Sequence, residues 1–495
     1  VVNPLLDLEL LVKSRYPLIA IQTWEEDRLT TALQHVGARL KLHVYEWTIG
    51  SAIRRRGMVT EVADNGAQTP LDALRAVASL GDGIFHMKDL HRFLGEPPVV
   101  RRLLDLAPTL EHDRRSIVVS ATHVTLPAEL EKRAAFFRLE LPTLDELRSA
   151  AKRVVDDLRR DHRIAVDLTP AEFEQLVDRL RGMTLFEAEH ALTRTILRDS
   201  ALNRDDLAAI IDMKRELLAK DGLLDYIPVE ETLGAVGGFA SLKAWLAKRR
   251  RAFTPEAKSF GIVPPKGILL CGVQGCGKTL AAKAVAHDWA LPLLKMEPGR
   301  LYDKFIGESE KNFDKVLALA EGMAPCVLLI DEIEKGFASV GSSESDAGLS
   351  RRLFGRLLGW LQDRKAPVFV VATSNAIDQL PPEMIRKGRF DEIFFIDLPT
   401  AAERKDVVAI HLKKRERDPA RFDLGALAAA SDGFSGAEIE QAVVSALYTA
   451  FSASSEVTTE ILVGELRATR PLSVTRREDI AELRAWAADR AVPAS

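Results

Sequence analysis

Short apolar runs, each closed off by polar residues, set the pattern of this chain. Gly267-Ile268-Leu269-Leu270-Cys271 is one run, and Cys326-Val327-Leu328-Leu329-Ile330 and Val368-Phe369-Val370-Val371-Ala372-Thr373 are two more. Runs of this length and flanking composition predict strands buried on both faces, as in a parallel sheet. The stretch from Leu280 to Trp289, directly after the first run, is predicted to be helical. Strands alternating with helices in this way give an α/β fold, a parallel sheet flanked by helices, and from about Pro399 the pattern becomes helical. Comparable runs occur in the first half, at Pro17-Leu18-Ile19-Ala20-Ile21, around Ile84-Phe85 and at Ile117-Val118-Val119.

The residues that close the runs carry the candidate chemistry. After the first run comes Gly272-Val273-Gln274-Gly275-Cys276-Gly277-Lys278-Thr279, a GxxxxGKT phosphate loop between a strand and a helix. Its glycines let backbone amides turn inward around phosphates, and the positive end of the next helix adds to the attraction. Gly272, Gly275, Cys276, Gly277, Lys278, Thr279 and Leu280 are therefore the expected ATP contacts, with Lys278 on the β- and γ-phosphates and Thr279 on Mg²⁺. The second run ends in Asp331-Glu332. Two acids at the carboxyl end of a central strand stand where open α/β sheets bind ligands. Asp331 is expected to hold the Mg²⁺, and Glu332 to activate the attacking water. The third run leads to Asn375, placed to orient that water or touch the γ-phosphate.

Composition narrows the class. The chain has 495 residues, 47% of them hydrophobic and 28% charged, which suits an ordinary globular protein of about three domains. A net charge of −4 and a pI near 6.3 argue against a dedicated nucleic-acid binder. The three cysteines, Cys271, Cys276 and Cys326, have no zinc-like spacing and form no closed disulfide set. No apolar stretch approaches the ~18 residues of a membrane span, and no signal-peptide pattern is visible, so the expected location is cytoplasmic.

The order of these motifs, followed by Ile385-Arg386-Lys387-Gly388-Arg389-Phe390-Asp391, resembles the AAA ATPases over about 250 residues, from Val236 to Ser473. The resemblance implies further roles. Val236 to Phe239, with Gly237, is similar to the loop that packs on adenine. His411 matches a lid histidine near the ribose. Gly433 to Glu438, with Ala437, is similar to the lid segment over the nucleotide. Arg386 and Arg389 look like the arginine fingers that such rings insert into a neighbour's site, which implies a homo-oligomer, most often of six subunits. Leu301 to Lys311 is similar to the first pore loop of protein-remodelling rings, with Phe305 gripping polypeptide and Ile306 packing beside it. The loop from Ser339 to Gly348 resembles the second pore loop.

The first half repeats the second in weakened form. Val119-Ser120-Ala121-Thr122-His123 resembles Val371 to Asn375, Leu139 to Thr143 echoes Ile396 to Thr400, and Gly182 to Glu189 parallels Gly433 to Glu440, in the same order and roughly 250 residues apart. The chemistry is missing from this copy. Gln22 to Asp27 has no glycine or lysine, Lys88 replaces the metal aspartate and His123 the asparagine. Glu25, Glu26 and Asp27 are expected to repel a nucleotide with nothing to offset them. A catalytic module behind a degenerate one also resembles a group of AAA ATPases encoded in cyanobacterial and plastid genomes.

The expected organisation is a degenerate AAA-like module over 1–220, a catalytic large subdomain over 221–398 and a helical lid over 399–495. The expected function is ATP hydrolysis by a ring that remodels or unfolds a protein partner. The alternatives are a regulatory or scaffolding ATPase, whose nucleotide state controls assembly, and a nucleic-acid motor, which the acidic pI disfavours.

Overall fold

Strand β1 (Leu18–Gln22) is buried along almost its whole length, and its residues alternate between two apolar layers. Leu18 and Ala20 face a core with Phe85, Leu103 and Val119, while Ile19 and Ile21 face one with Leu29, Leu33 and Val118. Such two-faced burial forces the strand into the middle of a covered sheet. Its partners are β2 (His43–Thr48), β3 (Ser51–Arg55), β4 (Gly83–Met87), β5 (Arg115–Ala121) and β6 (Ala134–Arg138), in the order β3-β2-β4-β5-β1-β6. All pair in parallel except the hairpin β2–β3. In this computed structural model residues 4–56, 69–161, 164–229, 237–301, 308–337, 344–386 and 388–495 are described. The chain divides into two units, Val1–Ile210 and Ile211–Ser495.

The first unit adds helices Leu144–Asp161, Pro170–Arg179 and Leu185–Asp199, with a short pair of strands, β7 (Ala165–Val166) and β8 (Ala201–Leu202). Thr184 and Glu187 close a capping box at the start of the third helix. At the carboxyl end of β1 the chain carries the three acids noted in the sequence, and two of them are not bare. Glu25 pairs with Arg28 at 2.9 Å and accepts the Leu185 N–H at 2.6 Å. Arg28 in turn grips Glu146 through two bonds of 3.0 and 2.9 Å. Lys88 reaches Glu26 at 3.6 Å and Glu46 at 3.5 Å. The expectation that nothing offsets the acids is thus corrected: cations from 3 to over 60 residues away pair with two of them, each shared with a further carboxylate. Burial pushes the Glu25 carboxyl up, against the pull of the Leu185 amide and Arg28.

The second unit repeats the strand order. β9 (Asp225–Ile227), β10 (Gly267–Gly272), β11 (Leu293–Met296), β12 (Cys326–Ile330), β13 (Val368–Ser374), β14 (Glu392–Ile396) and β15 (Val492–Pro493) lie as β15-β14-β10-β13-β12-β11-β9. Reading from β9, this is the order of the first sheet with β15 added. The antiparallel edge strand precedes its partner in the chain here and follows it there. β10 alternates as β1 does, with Ile268 and Leu270 in one layer and Leu269 and Cys271 in the other. The helices Ala401–Lys413, Leu424–Ala430, Gly436–Ser452 and Thr459–Ala468 build a separate small core from Val408, Leu427, Phe434, Ile439 and Leu462. Residues after them pack on the sheet instead. Ile480 joins its core, Arg484 binds Asp397 at 2.8 Å, and β15 pairs with β14.

One buried group in the first unit gives a pH test. His86, on β4, is fully buried and bonds the Ser120 hydroxyl at 2.7 Å. Burial, and next the nearby Lys88 charge, hold its pKa at about 3. Its folded pKa is below the unfolded one, so acid protonates the unfolded chain first, and stability is lost as pH falls below about 6.5. From this side chain the expected slope is up to ~1.4 kcal/mol per pH unit. The protection factors of β4 and β5 amides, taken against intrinsic exchange at each pH, should fall between pH 6.5 and 5, and should fall less in His86→Gln.

Candidate functional site

Three strand ends build the site. β10 pairs with β13, and β13 with β12, so the residues after Gly272, Ile330 and Ser374 emerge side by side. Gly272, at φ 137°, turns the chain away from the sheet, and a Cβ there would lie 2.0 Å from the Ile396 carbonyl oxygen. Only glycine fits so close a backbone approach. Gly275 and Gly277 also hold positive φ, and Gly277 opens the helix Lys278–Asp288.

Within this loop the Lys278 ammonium is buried and donates to the carbonyl oxygens of Gly272 and Val273, both at 2.8 Å. Burial lowers its pKa to about 8. Thr279 donates to Asp331 Oδ1 at 3.1 Å, and Thr373, from β13, donates to the same oxygen at 2.7 Å. The Thr373 oxygen also accepts the Glu332 N–H at 2.9 Å. One hydroxyl thus ties the end of β12 to that of β13. Glu332 takes a left-handed backbone, φ 51°, which is strained for a residue with a side chain and recurs at functional sites. Asn375 Nδ2 donates to its Oε1 at 3.1 Å, and Lys335 pairs with its Oε2. The Asn375 N–H donates to Glu334, a buried acid the sequence reading passed over.

These groups line one cavity of about 420 Å³. Gly275, Cys276, Gly277, Lys278, Thr279 and Leu280 form its floor, and Asp331, Glu332, Thr373 and Asn375 one wall. Gly237 and Phe239 close one side, and Val407, Ile410, His411 and Ala437 cover it from the four-helix layer. Gly272 does not line the cavity but turns the chain beneath it. The Ala437 N–H donates to the Gly275 carbonyl at 3.0 Å, so the helix start at Gly436 sits directly on the phosphate loop. Gly238, at φ 75°, lies so close to Glu403 that a Cβ would meet its carboxylate at 2.2 Å. Burial holds His411 below the usual histidine range, against the nearby Glu440 carboxylate.

The structure does not bring every expected residue to this cavity. Arg386 is exposed and Arg389 half-buried, the latter bonded to the Glu383 carbonyl, and neither lines the cavity. Phe305 and Ile306 lie outside the described residues, as does much of the loop from Ser339. Sequence reasoning missed Lys295, which meets Asp331 at 3.2 Å. Its signal is a lone charge inside the apolar stretch Leu293 to Met296. A hard divalent cation fits the donors present, since Thr279 and Asp331 offer oxygens at the mouth of the phosphate loop. Among the described residues no helix is long and apolar enough to cross a membrane.

Comparison with known proteins adds relatives. Residues 268–398 match the ATPase family associated with various cellular activities (AAA), and 421–461 the AAA+ lid domain. Residues 5–139 match the N-terminal domain of SpoVK-like AAA ATPases, and 145–221 their second domain. The AAA domain-containing protein ycf46 of Pyropia yezoensis is 37% identical over 98% of this chain and 97% of its own length. That of Trieres chinensis is 35% identical over 97% and 96%. A proteasome-activating nucleotidase of Aeropyrum pernix is 38% identical over 41% of this chain and 50% of its own.

Thr373→Val keeps the shape of the side chain but leaves the Glu332 N–H without its acceptor. Leaving a buried donor unpaired costs about 1–3 kcal/mol. The variant should unfold at lower denaturant than the parent. An unchanged midpoint would show that the hydroxyl does not hold the two strand ends together.

Proposed function

The chain belongs to the AAA ATPases, in the group of plastid-encoded ycf46 proteins that match it almost end to end, and from that premise we propose that it is a ring-forming ATPase that remodels a protein partner. That it hydrolyses ATP follows from the family. The observation that carries the site assignment is the convergence of the phosphate loop, Asp331, Glu332 and Asn375 on one cavity covered by His411 and Ala437.

Each residue then has a task. Lys278 binds the β- and γ-phosphate oxygens, and the amides of the loop and of the following helix share their charge. Thr279 and Asp331 hold Mg²⁺, which when bound withdraws charge from the phosphates. Gly237 and Phe239 pack on the base, with His411 near the ribose. Glu332 accepts a proton from the attacking water. Asn375 fixes that carboxylate, as its 3.1 Å bond already does, and orients the water. Cys276 serves through its backbone, because burial pushes its thiol up to about 12 and keeps it protonated.

Arg386 and Arg389 act on a neighbour's nucleotide. Their absence from the lining of their own cavity supports this, since a finger of this kind stabilises transition-state charge only where it can reach the phosphates. A second copy, and by resemblance a ring of six, then completes each site. The remodelling role draws support from the likeness to a protein named for activating the proteasome. Phe305 and Ile306 would grip the polypeptide.

Lys278→Ala should abolish ATP binding, whereas Glu332→Gln should bind ATP normally and turn it over at least ~100-fold more slowly, the lower range for a lost general base. Fluorescent-nucleotide titration and phosphate release measure the two. Near-normal turnover in Glu332→Gln would remove it as the base. The same variant, used as bait, should retain its protein partner in the presence of ATP.

Arg389→Ala protein should bind ATP yet hydrolyse it slowly, and mixing it with Lys278→Ala protein should restore part of the activity. Mixed interfaces pair an intact site with an intact finger. Full specific activity from a monomer at high dilution would contradict the ring.

A further inference from the structure

Lys295 opens a line of charges that the assignments above do not use. It stands on β11 opposite Leu329 of β12, with its side chain half-buried at 22% exposure. A half-buried ammonium there gains from nearby carboxylates. It finds Asp331 Oδ2 at 3.2 Å and Glu297 Oε1 at 2.9 Å. The other oxygen of Glu297 takes Arg300 Nε at 2.9 Å. Arg300 Nη1 then reaches both oxygens of Asp225, at 3.0 and 3.2 Å. Signs alternate along the whole line: Asp331, Lys295, Glu297, Arg300, Asp225.

The two ends of this line are functionally unlike. Asp331 faces the phosphate loop, 3.1 Å from the Thr279 hydroxyl. Arg300 sits in the turn Pro298–Leu301, and Asp225 begins β9, the first strand of the second unit and an edge of its sheet. Both oxygens of Glu297 are already used, one by each cation, so a shift of Lys295 alters how strongly Glu297 holds Arg300.

We propose that Lys295 is a positioning residue for Asp331, and that the ion line couples the metal's presence at Asp331 to the Arg300 turn and to β9. This rests on Asp331 as a metal ligand. A divalent cation beside Asp331 repels the Lys295 ammonium, because like charges a few ångströms apart interact strongly where water is scarce. Lys295 then leans on Glu297, which loosens Arg300 and leaves it to Asp225. Coupling is reciprocal, so a change at Asp225 must alter what happens at Asp331.

The test uses the full-length chain and a fluorescent ATP analogue, titrated with Mg²⁺ and with EDTA. The readout is the ratio of the two affinities, which a loss of general stability does not move. Lys295→Met removes the competing ammonium and should raise the ratio about fivefold or more, while Lys295→Arg stays near the parent. Asp225→Asn frees Arg300 for Glu297, pushes Lys295 onto Asp331 and should lower the ratio. In the Lys295→Met background the same change should do nothing. A ratio unmoved by Lys295→Met, or an Asp225→Asn effect equal in both backgrounds, overturns the coupling. Asp331→Asn separates the two ideas. If it leaves the ratio intact, the metal assignment falls and the coupling with it. If it abolishes the ratio while Lys295→Met changes nothing, only the coupling falls.

Discussion

The pairing of β13 between β10 and β12 sets where the strand-end polar groups of the cavity can stand. Strand ends in register deliver the phosphate loop, the two acids and the asparagine to the same level. Each chain end must then leave the sheet at once, and the backbone shows what that demands. Gly272 leaves at a φ closed to side chains, and Glu332 leaves at φ 51° despite having one. The Thr373 hydroxyl bonds both acidic residues and so shares the load between strands. The lid follows from the same geometry, since its helix start at Gly436 reaches the phosphate loop through one backbone bond.

Much of this was legible in the sequence because a charge at the end of an apolar run has few structural excuses. Asp331 and Glu332 announce themselves so, Lys278 through the glycine-rich loop around it and Asn375 through its place after β13, and all four line one cavity. His411 and Ala437 came only through resemblance, and they line the same cavity. What stayed hidden depends on partners far apart in the chain. Thr373 reads as the last residue of a strand until its two bonds are seen. Lys295 reads as an accident within β11. The edge strands β9 and β15 have 3 and 2 residues, too few for any periodicity to declare them. The return of Ile480 and Arg484 to the sheet is set by packing and by an ion pair to Asp397, 87 residues earlier.

The first unit shows the same limits. Its kinship to the second was readable from motif order, and the two sheets share a strand order. Its electrostatics were not readable. Arg28 reaches Glu146 over 118 residues and Glu25 reaches Leu185 over 160. A local tally of acids therefore overstated the repulsion. In both units a helix begins with a hydroxyl-glutamate box near the end of the first parallel strand's loop, Thr184-Glu187 in one and Ser435-Glu438 in the other. The contact onto that helix start differs, a side-chain carboxylate in the first and a loop carbonyl in the second.

That difference separates two ways of fastening a helix start to a strand-end loop. A carboxylate fixed to the chain cannot be hydrolysed, exchanged or diluted away. The Glu25 carboxylate therefore holds the Leu185 helix start as a standing feature of the first unit's own sequence. The second unit shares the architecture but closes the matching helix start with the Gly275 carbonyl, a group of the phosphate loop itself, so whatever shifts that loop is felt at Ala437.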